Sequence, residues 1–305
     1  MSKNKLQSDT LYLTYSWSFG NKGICGHTFE IIEYFFILKD KFKVKILICD
    51  DLTKKMLLES IKSKYNFTEE EINYILSNTI FLNRPKILIG DYLLIVDGNL
   101  MKDKNVVLKF KHIFLFSCGI RNLHLLNDKN ITILHDYRIY DSSIITVDYK
   151  KKILFSKLKE ISNVEENILL YITKNCRELS FDELKSISSK FKNKNILAIV
   201  NFDEEYKYQF ENVTFLKAPV KNILEKFNVY CYTSVSRKFD CSPRFIAECI
   251  FYNKEVIYEI DYLEEDKGLY WRKFDIENDF ENLHLNENDE IINLIYKNAK
   301  GLKCL

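Results

Sequence analysis

Ser18-Phe19-Gly20-Asn21-Lys22-Gly23-Ile24-Cys25-Gly26-His27-Thr28 is the stretch from which the fold can be read. It follows an apolar run over 11–17 and leads into an amphipathic helical pattern, so it reads as a glycine-rich turn from strand to helix. A second stretch, Asp240-Cys241-Ser242-Pro243-Arg244-Phe245-Ile246-Ala247-Glu248-Cys249, repeats that order after the run 229–235. Ser242 suits a helix N-cap and Pro243 the first helical position. Together they leave backbone N–H groups and the positive end of a helix dipole to meet an anion. Two such turns predict two α/β halves that hold a phosphorylated ligand between them.

Outward from these turns the chain alternates. Residues 11–17 predict a strand, 27–41 a helix and 43–49 a second strand ending on Asp50-Asp51. Helices are predicted over 53–65 and 68–77, the latter capped by Thr68 with Glu69, Glu70 and Glu71 in its first turn. Short apolar runs follow at 86–89, 92–96, 112–117 and 131–134. Beyond a lysine-rich stretch at 150–167 the alternation restarts, with strands at 168–173, 195–201, 229–233 and 255–260 and helices at 180–191, 220–227 and 244–252. A last helix over 287–300 is placed to pack back on the first half. The predicted fold class is α/β: two facing Rossmann-like domains, 1–155 and 156–286, each a mostly parallel sheet with helices on both faces.

Composition narrows the function classes. A chain of 305 residues can bury two cores, and 47% apolar with 14% aromatic residues is too much for a disordered chain. The longest apolar runs, 31–38 and 113–118, fall short of the roughly 18 residues that a membrane span needs. No apolar segment backs the N-terminal Met1-Ser2-Lys3-Asn4-Lys5, so a cytoplasmic protein without a membrane partner is expected. The eight cysteines lack C-x-x-C pairing, and Cys49, Cys118 and Cys231 sit inside apolar runs as small buried hydrophobes, which fits a reducing compartment. With 45 basic against 43 acidic residues the net charge of +2 neither demands nor excludes nucleic acid. Lysines do cluster at 102–111 and 150–159, either as solvated faces or as patches that meet DNA.

In open parallel sheets ligands bind beyond the carboxyl ends of the strands. After the first strand, Gly23, Cys25 and Gly26 form the glycine-rich loop, spaced G-x-x-G-x-x-G from Gly20 rather than in the dinucleotide pattern. His27 then opens the helix, as a surface residue or as a catalyst. After 131–134 comes His135-Asp136-Tyr137-Arg138, a strand-end salt-bridge cluster or a group that deprotonates a hydroxyl and stabilises charge. After 168–173, Lys174 and Arg177 suit a diphosphate, the arginine gripping in bidentate fashion. Near the second helix start, Ser242 and Arg244 add donors, and Glu248, one turn on, can accept both hydroxyls of a ribose or be an ordinary helix-face acid. The turn Leu216-Lys217-Ala218-Pro219 offers Ala218 beside a nucleobase. No Asp-x-Asp occurs, which favours diphosphate neutralisation by cations and helix dipoles, with no metal or other cofactor.

Together these positions resemble the GT-B glycosyltransferases, whose C-terminal domain holds a nucleotide sugar and whose N-terminal domain binds the acceptor. In that superfamily a Lys/Arg pair after the first strand of the second domain holds the diphosphate, and a glutamate on a later helix binds the ribose; Lys174, Arg177 and Glu248 stand in the matching places. Within it, Gly23-Ile24-Cys25-Gly26-His27-Thr28-Phe29 and His135-Asp136 are similar to the glycine-rich turn and the strand-end His-Asp of phage DNA glycosyltransferases that modify 5-hydroxymethylcytosine. The resemblance implies a UDP-sugar donor, a glucosyl or arabinosyl group, Asp136 as the principal catalytic group with His135 and His27 behind it, and double-stranded DNA as a candidate acceptor. A lipid, protein or oligosaccharide acceptor stays open, as do a nucleotide-dependent oxidoreductase, with Asp50 as its ribose acid, and a non-catalytic binding module.

Overall fold

The central apolar runs become parallel strands buried on both faces. In a computed structural model, structure is described for residues 3–15, 24, 26–49, 52–83, 85–96, 106–116, 128–135, 145–146, 154, 156–172, 181–200, 209–217, 223–232, 244–258 and 289–299. The chain divides into two compact units, Met1–Lys159 with Asn282–Leu305, and Glu160–Glu281.

The first unit contains β1 (Lys3–Lys5), β2 (Leu11–Tyr15), α1 (Gly26–Leu38), β3 (Val44–Ile48), α2 (Lys54–Lys64), α3 (Glu69–Ser77), β4 (Thr79–Phe81), β5 (Ile87–Val96), β6 (Val107–Phe116), β7 (Ile131–His135) and β8 (Ile145–Thr146). The strands line up as β4-β3-β2-β5-β6-β7-β8, with β1 also against β5. Every pairing is parallel, for instance Leu13 beside Ile46 and beside Leu94. All five residues of β2 are buried, as a central strand covered on both faces requires. Tyr12, Leu47, Cys49, Leu93, Ile95, Ile113 and Leu115 form one core cluster.

Helix α1 packs on β2, β3 and β5. Nine of its 13 residues are buried, among them Thr28, Glu30 and Glu33, so it is covered nearly all round. Helix α3 begins as its sequence dictates: Thr68 Oγ1 accepts from the Glu71 N–H at 3.2 Å and Glu71 Oε2 accepts from the Thr68 N–H at 2.8 Å, a complete capping box.

Three expectations are corrected in this unit. The runs 86–89 and 92–96 are one strand, β5, continuous through Gly90 and Asp91. Gly90 is needed because a Cβ there would lie 2.6 Å from Phe110 Cε1. The buried Asp91 is accommodated by Lys111 Nζ at 3.0 Å and by the Asp9 N–H, which donates to Oδ2 at 3.1 Å. The run 112–117 is likewise the end of a longer strand that starts at Val107, so Lys109 and Lys111 belong to β6. In the second lysine cluster, Lys157 Nζ lies 2.7 Å from Glu71 Oε1 and Lys159 Nζ donates to the Lys62 carbonyl at 2.5 Å. These cations tie the chain to the unit.

The second unit contains β9 (Asn167–Ile172), α4 (Phe181–Lys190), β10 (Asn195–Val200), β11 (Val213–Lys217), a 3-10 turn (Ile223–Glu225), β12 (Val229–Tyr232), α5 (Arg244–Phe251) and β13 (Glu255–Tyr258). Its order, β11-β10-β9-β12-β13, is again wholly parallel. Strand alternation sends Ile168, Leu170, Ile196, Ala198, Val229 and Cys231 to the face that packs Leu184 and Ile187 of α4. Leu169, Leu197, Ile199, Tyr230 and Tyr232 go to the other, with Phe245, Cys249 and Ile250 of α5. Helices therefore cover both faces. Of the helix expected over 220–227, the described part, 223–227, holds only a 3-10 turn before β12 starts at Val229. Strand β11 ends at Lys217, within the expected turn Leu216-Lys217-Ala218-Pro219. The last helix, α6 (Asp289–Asn298), belongs to the first unit.

Candidate functional site at the carboxyl edges of the sheets

Both sheets share one topological device. Chain order runs outward from the first strand in one direction, β2 to β3 to β4, and then resumes on its other side at β5; in the second sheet β9, β10 and β11 are followed by a return to β12. The strand order therefore reverses between β2 and β5 and between β9 and β12. At such a point the segments leaving neighbouring carboxyl ends diverge and open a crevice for a ligand.

In the first unit, β2 ends at Tyr15 and the next described helix starts at Gly26. Among the described residues, a Cβ on Gly26 would meet nothing within 4 Å. Gly23 and Cys25 lie outside the described residues. His27 sits in the first turn of α1, its side chain 27% exposed, with Nδ1 3.1 Å from Oε2 of Glu30, whose own side chain is only 11% exposed. His135 closes β7 opposite Thr146 of β8, its side chain and all of Asp136 lying outside the described residues. Lanes β5 and β6 separate β7 from β2. At a strand spacing near 4.8 Å the carboxyl ends of β2 and β7 are roughly 14 Å apart.

In the second unit, Val229, Tyr230 and Cys231 of β12 run beside Ile168, Leu169 and Leu170 of β9, so the two strands are neighbours at the point where the order reverses. Lys174, Arg177 and Ser242 are on those segments, by sequence, and lie outside the described residues, as does Ala218 after β11. Arg244 is the first residue of α5. Glu248, one turn further, is 2% exposed. Burial pushes the Tyr252 phenol up to about 12, with the Glu248 charge adding to the effect. Burial, and then Glu248, also raise the Cys249 thiol.

Helix α5 ends where Asn253 takes the left-handed conformation at φ 54°. There the Asn253 N–H donates to the Ile250 carbonyl and the Lys254 N–H to the Cys249 carbonyl, both at 2.9 Å, closing the last turn. Lys254 is itself buried; Nζ donates to the Phe227 carbonyl at 2.5 Å and lies 4.4 Å from the centre of the Phe227 ring. Burial depresses its ammonium below the ordinary lysine range. The end of α5 is thus clamped, which fixes the axis on which Arg244 and Glu248 are carried.

Sequence reasoning missed Glu30. Its signal was present as His-x-x-Glu at helical spacing, which puts both side chains on one helix face. Among the described residues, no group of three or more His, Cys, Asp or Glu is arranged to hold a metal ion, and no helix is long and apolar enough to cross a membrane.

No family model matches the chain, and no curated protein does. A solved structure of an alpha-glucosyltransferase in complex with UDP and a 13-mer DNA containing a central A:G mismatch is similar over 96% of this chain and 93% of that chain, at 9% sequence identity and a TM-score of 0.38.

Proposed function

We propose that the chain is a glycosyltransferase that moves a sugar from a nucleoside diphosphate, UDP in the first instance, to a hydroxyl acceptor. The observation that supports this is the repeated architecture: two doubly wound parallel sheets, each reversing its strand order beside its first strand. In this reading Lys174 and Arg177, leaving β9, neutralise the diphosphate together with Ser242, Arg244 and the helix start of α5, and Glu248 serves the ribose. Asp136, His135 and His27, all at the carboxyl edge of the first sheet, assist the acceptor hydroxyl. Cations and helix dipoles replace a divalent metal in stabilising the leaving diphosphate.

The acceptor we favour is a hydroxymethylated pyrimidine in double-stranded DNA. Calorimetric titration with UDP-glucose, in the presence of EDTA, tests the donor assignment. Wild type should bind, and Lys174→Glu and Arg177→Glu should each weaken binding at least tenfold without unfolding the chain. Wild-type behaviour in both variants would refute the site, and tight NADH binding in place of UDP-glucose would favour the oxidoreductase. Transfer to a hydroxymethylcytosine duplex should weaken steeply with salt, through counterion release.

A further inference from the structure

We propose that Glu30 is a positioning residue: its carboxylate holds His27 in the tautomer protonated at Nδ1, which makes Nε2 the proton acceptor for the attacking hydroxyl. The inference rests on the glycosyltransferase reading above for its chemistry, while the tautomer itself can be measured without any substrate.

The geometry is specific. His27 Nδ1 and Glu30 Oε2 are 3.1 Å apart, three residues along one helix face. An ionised carboxylate can only accept, so the ring nitrogen that meets it must be the donor, and the lone pair of the neutral imidazole then resides on Nε2. A free imidazole has no such constraint. The arrangement is also rigid: Glu30 is only 8% exposed, and it stands on a helix of which Thr28, Phe29, Ile31, Ile32 and Glu33 are buried neighbours. Little side-chain freedom remains to be lost when the contact forms.

Location gives the pair a use. It spans the first and second turns of α1, the helix that follows β2, where the strand order of the first sheet reverses. The positive end of the α1 dipole disfavours a protonated imidazole, and the Glu30 carboxylate offsets that penalty as the ring takes up a proton. In the reaction Nε2 removes the proton of the acceptor hydroxyl as its oxygen bonds to the anomeric carbon. The bond from that carbon to the diphosphate oxygen breaks, and its electron pair leaves with the diphosphate. Charge and atoms balance with no further reactant. Glu30 does not touch the reacting atoms; it acts through the ring.

The test is a long-range proton–nitrogen correlation spectrum of uniformly nitrogen-15-labelled full-length protein. Its five histidines are distinguished by a His27→Gln variant. The wild-type His27 ring should show the Nδ1–H pattern at alkaline pH, and Glu30→Ala should convert it to Nε2–H, with circular dichroism reporting that the variant is folded. Glu30→Gln, whose amide can donate as well as accept and carries no charge, should show both tautomers. With UDP-glucose and a hydroxymethylcytosine duplex it should lower kcat by about a hundredfold at unchanged donor KM, in the usual range for general base catalysis. A wild-type Nε2–H pattern, or a Glu30→Ala spectrum identical to wild type, overturns the positioning role. An Nδ1–H pattern in a protein that turns over no nucleotide sugar leaves Glu30 as the tautomer-setting residue and refutes the glycosyltransferase reading and the base role of His27 instead.

Discussion

The backbone N–H of Leu154 donates to Glu33 Oε2 at 2.6 Å, joining a fully buried acid in α1 to a chain segment 121 residues further on. That acid would otherwise be a liability in a helix packed on three strands. Glu33→Ala removes the acceptor and leaves the Leu154 N–H buried, at a cost of about 1–3 kcal/mol. Glu33→Gln keeps an acceptor oxygen and should lose less. Urea denaturation of the three proteins measures both steps, and equal stability in all of them would mean that the contact does not hold the 150s segment.

Gly90 is fixed by close approach. A methyl group there would lie 2.6 Å from the Phe110 ring, within β5 and β6, so Gly90→Ala should cost about 1–3 kcal/mol through overpacking. Because the obstacle is one ring, Phe110→Leu should recover part of that loss. A double-mutant cycle should therefore return a coupling energy well away from zero.

His112 should make the protein sensitive to mild acid. Its ring lies 2.8 Å from Thr132 Oγ1, and burial lowers its pKa while Asp128 opposes the shift. A depressed imidazole binds fewer protons in the folded than in the unfolded chain. Stability should therefore fall as pH drops from the ordinary histidine value, near 6.5, toward the lower folded value, and be level above that window. Relative to His112→Gln, wild type should lose stability across this interval; parallel curves would contradict the assignment.

Cys49, Cys231 and Cys249 are fully buried, and burial holds the Cys249 thiol well above its ordinary pKa. All three sulfurs should be shielded from reagents in solution. In native buffer near pH 8, mass spectrometry should find these three unlabelled by iodoacetamide and labelled after denaturation. Rapid native alkylation of Cys249 would show that α5 opens.

The capping box of α3 is the simplest local test. Thr68→Ala should cost about 1 kcal/mol, and Glu71→Ala should remove both the reciprocal bond to the Thr68 N–H and the Lys157 partner. In the folded protein Glu71 is held below the ordinary carboxylate range by Lys157 and Thr68 despite the opposing desolvation. Its stabilisation should therefore persist above the ordinary glutamate pKa and disappear as pH falls below it. The pH dependence of the Glu71→Ala penalty, followed by thermal denaturation, measures this directly.

Much of the architecture was legible because it follows from local patterns. The doubly apolar run at 11–15, the cap at Thr68 and the repeated strand-helix alternation are properties of neighbouring residues, and they specify strands, helix starts and a parallel α/β fold wherever the chain is placed. Register and burial were not legible, since they depend on residues distant in sequence. Gly90 and Asp91 read as a break between two strands, yet Phe110, Lys111 and Asp9 make them the middle of one. Glu248 read as a ribose acid or an ordinary helix-face acid, and only the packing around α5 shows that it is buried. Glu30 was passed over because a carboxylate gains meaning only when its helix is enclosed and a histidine stands one turn before it. Sequence by itself thus determined the alternation of strands and helices and the parallel α/β class, for those are short-range consequences of side-chain polarity and backbone freedom. Tertiary structure alone decided which charged groups lose water and which neighbours satisfy them, because desolvation is set by everything packed nearby.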